Sequence, residues 1–295
     1  MKALDKQLAD LKGKVVWMAS YPKSGNTWFR CFLSALFTGK VEINKINTDG
    51  IFSNRNLFDK VTDIDGLLFD EEETKLTVAD VYKFHLSHSP KLEFTKVHDA
   101  YSLDREGNPI FPTDGSHHVI YLVRNPLDVV ASFANHSSTT NDKSIKMMND
   151  ENGYLVRQKN GHNNMNQLPQ LMYDWSGHVK SWIDQKEIPV TIMRYEDTKK
   201  DPVGNFHRVM TNIGIKVSKK KVKEAVELAK FERLREMEDD KGFREKAPTV
   251  KNFFRSGKAG GFRNELTLNQ IESILSAHHA VMEELGYDIP VIEYV

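Results

Sequence analysis

Val15, Val16, Trp17 and Met18 form an apolar run without polar alternation, the pattern of a strand buried on both faces of a parallel sheet. From Thr27 the apolar positions recur at helical spacing as far as Gly39, which predicts a helix closed by a glycine cap. A second strand, loop and helix unit follows downstream. His118 to Arg124 (HVIYLVR) is a buried strand candidate, and Asn125 as cap, Pro126 at the first helical position and Asp128 in the first turn predict a helix from Leu127 to about Asn135. Leu92 to His98 and Pro189 to Tyr195 add strand candidates. Helical spacing returns over Tyr173 to Gln185, over 201–213, over 218–230 behind the cap Ser218, and from Thr267 to Leu285. Thr77 with Asp80 fits a capping box and predicts a helix through about His88, while Leu4, Leu8 and Leu11 make the N-terminal residues amphipathic.

The intervening stretches read differently. Residues 40–75 scatter Ile51, Phe52, Leu57 and Phe58 among polar clusters, as a covering segment whose aromatics need burial. Residues 137–170 are rich in Asn, Ser, Thr and Lys with few apolar anchors and read as a mobile loop. Residues 239–264 are polar, basic and glycine-rich, with Phe253, Phe254 and Phe262 interleaved. Strands alternating with helices, and no internal repeat, predict an α/β fold with a central, mainly parallel sheet flanked by helices on both faces. The 295 residues suffice for a single domain over 1–295, burying about three quarters of the unfolded surface.

Charge narrows the partners. Lys plus Arg balance Asp plus Glu at 41 each, so no net field steers the chain toward nucleic acid or an anionic membrane, and any anion site must be local. The single cysteine, Cys31, lies among apolar residues and reads as an inert core thiol. No apolar run reaches the ~20 residues of a membrane span, and no apolar signal core is visible, so the expectation is a cytoplasmic protein without nucleic-acid or membrane partners.

The chemistry concentrates where the chain leaves its predicted strands, the edge at which open α/β sheets bind ligands. Ser20 to Asn26 places a Pro, a Lys, a Ser and a Gly just before a helix, whose free N–H groups and dipole favour a phosphate. Lys23, Ser24, Gly25 and Thr27 add charge, hydroxyls and backbone freedom, and Trp28 offers a flat surface for a base. This is not the GxxxxGK[ST] loop, because position 20 is Ser and the Lys precedes Gly25. Arg124 and Ser132 of VRNPLDVVAS suit a second phosphate through a guanidinium fork and a hydroxyl; taken alone, the segment also fits a structural Arg124–Asp128 pair.

YPKSGNTW closely resembles the 5′-phosphosulfate loop of the cytosolic sulfotransferases, usually YPKSGTTW, and VRNPLDVVAS resembles their 3′-phosphate motif, with Leu127 replacing Lys. FFRSGKAGGFRNELT resembles their C-terminal RKGxxGDWKNxFT. It keeps Arg255 and Gly257, has Ser256 where the family carries Lys, and has Lys258 nearby. RYEDTKKDP, Phe231 and HVKSW (His178 to Trp182) match further family segments in order, and TKVH resembles the family's KTH. The resemblance implies a P-loop-like sulfotransferase fold and sulfuryl transfer from 3′-phosphoadenosine 5′-phosphosulfate (PAPS) to a small-molecule alcohol, phenol or amine, with PAP as product. It implies His98 as general base, Lys23 at the leaving oxygen and Lys96 at the sulfuryl group. Ser24, Gly25, Asn26 and Thr27 would hold the 5′-phosphate; Arg124, Ser132, Arg255, Ser256 and Gly257 the 3′-phosphate; and Trp28, Tyr195 and Phe231 the adenine. Residues 40–90 and 137–175 would cover the acceptor, the latter as a lid. No metal is implied, since no clustered His or carboxylate pattern occurs. Arg263, Thr267, Leu268 and Glu272 echo the family's dimer motif KxxxTVxxxE and allow a homodimer. A nucleotide-dependent kinase, or a non-catalytic binder of phosphoadenosine nucleotides, are the competing readings.

Overall fold

The structure, a computed structural model, describes residues 2–46, 49–156, 166–246, 250 and 252–290. Helix α1 (Lys2–Asp10) leads into strand β1 (Val15–Ser20), all six residues of which are buried. Helix α2 (Asn26–Thr38) follows and ends at Gly39 with φ 73°, the left-handed cap that glycine adopts without strain. Next come α3 (Arg55–Thr62), α4 (Glu71–Ser87), β2 (Glu93–Val97) and β3 (Ser116–Val123). The chain continues through α5 (Pro126–His136), α6 (Asn141–Met148), β4 (Tyr154–Val156), β5 (Gln170–Leu171), α7 (Trp175–Asp184) and β6 (Val190–Arg194). It closes with α8 (Tyr195–Lys200), α9 (Pro202–Asn212), α10 (Lys219–Leu228), α11 (Phe231–Lys241) and α12 (Leu268–Glu284).

The sheet runs β2-β1-β3-β6 and every pairing in it is parallel, so β1 is flanked on both sides. Because strand side chains alternate, β1 feeds two cores. Val15, Trp17 and Ala19 pack with Trp175, Trp182 and Ile274, whereas Val16 and Met18 pack with Phe32, Phe206 and Val222. Helices α7 and α12 thus cover one face, and α2, α9 and α10 the other. Burying each large apolar side chain of this kind contributes about 1.5–3 kcal/mol. All four strands end at one edge, where Tyr21, His98, Arg124 and Tyr195 follow them.

Three expectations are corrected. Helix α4 starts six residues before Thr77, at Glu71: Asp70 accepts the Glu73 N–H at 2.8 Å and Glu73 accepts the Asp70 N–H at 2.9 Å. Three consecutive glutamates at the positive helix end favour that start, and Thr77 instead bonds back to Glu73 O inside the helix. The stretch 137–170 is not simply a loop. Helix α6, capped by Thr140, buries Ser144, Ile145 and Met148, and β4 pairs antiparallel with β5; residues 157–165 of the expected lid lie outside the described residues. Helix α10 ends at Leu228, and α8 and α11 were not foreseen, because each buries only two side chains and so lacks a clear apolar stripe.

Candidate active site

The loop after β1 is built by two left-handed residues, Lys23 at φ 69° and Gly25 at φ 102°. A Cβ on Gly25 would come within 2.9 Å of the Tyr195 ring, so glycine is needed for packing as well as for conformation. The first helical bond of α2 runs from Phe29 N to Gly25 O, which leaves the amides of Asn26, Thr27 and Trp28 ahead of it, pointing where an anion would sit. The Ser24 hydroxyl is buried without a partner among the described residues. Asn26 contributes backbone only: its side-chain Nδ2 turns inward to Met18 O at 3.0 Å and Ser20 Oγ at 3.3 Å, fastening the loop to β1.

Arg124, at the end of β3, reaches across to this loop. It donates to Lys23 O at 3.4 Å and to Lys258 O at 3.0 Å, stacks 4.6 Å from the Tyr195 ring centre, and keeps its buried Nε without a partner among the described residues. The alternative Arg124–Asp128 pair does not form. Asp128 instead accepts the Gly260 N–H at 2.7 Å and the Phe262 N–H at 3.0 Å. Glu238 does the same at the other end of that segment, accepting from Phe253 N and Phe254 N at 2.6 and 2.9 Å. Two buried carboxylates thereby latch residues 253–262 over the sheet edge. Within it, Gly257 has φ 62°, and a Cβ there would meet the Phe231 ring at 2.5 Å. Arg255 pairs with Glu265 at 2.6 Å.

One cavity of about 790 Å³ gathers these parts. Of the residues expected from the sequence to be catalytic or to bind the nucleotide, all but Ser24 border it. Trp28 stands 5.9 Å from Tyr195 at an angle of 70°, its Nε1 held by Ala229 O, with Phe231 across the cavity wall. An aromatic slot therefore adjoins the cationic loop.

His98 borders the same cavity. Its Nδ1 is 2.8 Å from Ser20 O, an atom that can only accept, so Nδ1 carries the proton and Nε2 is left as a free acceptor. The strand end is clamped from α7: His178 donates Nε2–H to His98 O at 3.0 Å and accepts from Tyr121 OH at 2.8 Å, and Trp182 donates to Asp99 O at 3.0 Å. Burial, and then the charge of Lys96, hold His98 well below the usual imidazole range, so it is neutral and able to take a proton. Burial also lowers Lys23 to about 7, with Arg124 and Lys96 adding repulsion, and lowers Lys96 to about 8.

Sequence reasoning missed Arg30 and Glu245. Arg30, buried in α2, forms an ion pair with Glu245, whose other oxygen lies 3.8 Å from Lys96. A charged side chain inside the apolar run from Phe29 to Leu33 was the available signal for Arg30; Glu245 offered none. Cys31 is buried, and burial pushes its thiol up to about 12.

Residues 14–286 match the sulfotransferase domain family. This chain belongs to that family. A flavonol 3-sulfotransferase of Flaveria bidentis is 24% identical over 269 residues, spanning 88% of this chain and 78% of the relative. An amine sulfotransferase of Oryctolagus cuniculus is 22% identical over 283 residues, spanning 92% and 82%. Among solved structures, a mouse sulfotransferase complexed with PAP superposes with a TM-score of 0.59 at 18% identity, over 95% of this chain and 88% of that one. A retinol dehydratase in complex with androsterone and PAP gives 0.58 at 20% identity, over 97% and 85%. The fold of this sulfotransferase is therefore the P-loop-like one expected. Among the described residues no helix is long and apolar enough to cross a membrane, and no group of three or more His, Cys, Asp or Glu is gathered as for a metal.

Proposed function

We propose that this sulfotransferase moves the sulfuryl group of PAPS to a hydroxyl or amine of a small-molecule acceptor, with His98 as general base. One observation carries the reading. A single cavity is bordered by a helix N-terminus, by Lys23 and by a neutral imidazole with a free Nε2. The residues present fit the donor. Ser24 Oγ and Arg124 Nε are buried polar atoms without partners among the described residues, the first α2 amides precede the first helical bond and are available to an anion, and Gly257 lets the chain lie flat on Phe231.

In this reading His98 Nε2 takes the acceptor proton as the acceptor's heteroatom bonds to sulfur. The bond from sulfur to the 5′-phosphate oxygen breaks, and PAP leaves with its new charge stabilised by Lys23 and the α2 amides. Lys96 and Arg30 border the same cavity and would steady the sulfuryl group, and the aromatic slot would take the adenine. The chain works as one domain over 1–295, with 40–90 and 137–175 walling the acceptor. The cytoplasm is the proposed location, supported by relatives such as the Arabidopsis thaliana cytosolic sulfotransferase 13. A homodimer through the exposed Arg263 to Glu272 segment is part of the same reading.

Labelled donor and a panel of alcohols, phenols and amines should yield sulfated product. His98→Ala should lower turnover by at least about 100-fold while leaving affinity for PAP in place. Unimpaired turnover in that variant would remove His98 as the base. PAP binding without product from any acceptor would instead favour a non-catalytic nucleotide binder.

A further inference from the structure

The cavity continues past His98 onto a wall that the nucleotide motifs leave unused. Backbone bonds stitch this wall to the strand end that bears His98. Phe52 N–H donates to Lys96 O, Leu168 N–H to Ser53 O, and Ala100 N–H to Leu171 O, each at 2.8 Å, while Val156 pairs with Gln170. The side chains it presents are unusual for a site that takes flat aromatic acceptors. Asn54, Asn56, Asn166, Gln167 and Gln170 all border the cavity, and every aromatic ring bordering it among the described residues, from Trp28 to Phe254, comes from other segments.

Gln170 is fully buried. It donates Nε2–H to Gln167 Oε1 at 2.9 Å, and its own Oε1 is left without a partner among the described residues. A carboxamide carries donors and an acceptor together, and so does a vicinal pair of hydroxyls. Asn54 Oδ1 is already taken by the Leu57 N–H, but an apolar acceptor would strip water from the exposed carboxamides of Asn56 and Asn166 and leave Gln170 Oε1 unpaired, which carries a desolvation penalty with no return. Ile51 and Leu155, on the same wall, offer the apolar surface that the C–H face of a sugar ring can cover.

We propose that the acceptor is a polyhydroxylated molecule of carbohydrate type, held by this carboxamide wall with one hydroxyl delivered to His98. This deepens, and rests on, the sulfotransferase reading of the same cavity. The hydroxyl proton passes to His98 Nε2 as the sugar oxygen bonds to sulfur, and PAP departs as the sulfur–phosphate oxygen bond breaks.

The test gives the full chain PAPS with mono- and disaccharides, and in parallel with phenols, flavonols and aliphatic amines, reading both PAP release and product mass. The best sugar should exceed the best phenol in kcat/KM by at least about 100-fold, because a site built to hydrogen-bond rejects partners that cannot. Asn56→Ala, at an exposed position where the fold is not at risk, and Gln170→Leu should each raise the sugar KM roughly tenfold while PAP affinity by calorimetry stays unchanged. Sulfated phenols or amines with sugars inert overturn the proposal and leave the sulfotransferase reading standing, as does an unchanged sugar KM in both variants. No product from any acceptor overturns both.

Discussion

Lys23 is held in a left-handed backbone conformation with its ammonium 3.9 Å from the Phe253 ring centre, close to Arg124 and Lys96. Burial is the main reason that it titrates at about 7 rather than in the ordinary lysine range. The sign of the consequence is fixed. Above pH 7 the free protein has mostly shed this proton, and an anionic nucleotide favours the charged form, so binding must draw the proton back. At pH 8 the phosphates of PAP are themselves fully deprotonated and supply none. Calorimetry at pH 8 in buffers of differing ionisation enthalpy should therefore show net proton uptake on PAP binding, and Lys23→Met should remove most of it. Uptake of equal size in that variant would place the titrating group elsewhere, with Lys96 at about 8 the next to test. At this scale, what the sequence displayed were residues whose neighbours along the chain do the work. Lys23, Gly25 and the α2 amides are adjacent, so their purpose could be read from spacing. Arg30 and Glu245 meet only through the fold, 215 positions apart, and His178 reaches His98 O across 80. No local pattern announces such a meeting.

Among the elements, the segment 253–262 depends on carboxylates that are not its own. Asp128, in the first turn of α5, and Glu238, in α11, each accept backbone N–H groups from it. Asp128→Ala would leave the buried Phe262 amide and the half-buried Gly260 amide unpaired. We expect a loss of about 2–4 kcal/mol in urea unfolding and a PAP affinity weaker by at least about tenfold, since the segment must then be ordered by the ligand. Unchanged affinity alongside lowered stability would show that the latch serves the fold alone. The sheet strands and α2, α5, α7, α9 and α12 were legible because they bury continuous runs or full apolar stripes. Helix α11 buries only Leu234 and Glu238, and its charged sequence reads as a solvated stretch; the buried glutamate is there to hold another segment, which is a reason that propensity does not encode. Helix α6 was hidden for a related cause, with Ile145 and Met148 as its only buried apolar anchors.

For the whole molecule, assembly is the property with a specific handle. Leu268 is 49% exposed at the start of α12, beside Arg263 and within the segment proposed to meet a second copy. Leu268→Glu adds a carboxylate at a helix N-terminus, which the dipole favours, so the fold is not endangered. Light scattering should give a dimer for the natural chain and a monomer for the variant, with activity per chain retained. A monomer in both would remove the interface. The order of the sheet has a different consequence. Strand β1 comes first in sequence but sits centrally, between β2 and β3, and pairs with residues as far along as Leu122. On the ribosome its apolar run VVWMAS emerges about 100 residues before its second neighbour, which at 5–20 residues per second is roughly 5–20 s of exposure. The strand that anchors the phosphate loop is thus also the part of the nascent chain most in need of shielding from other chains.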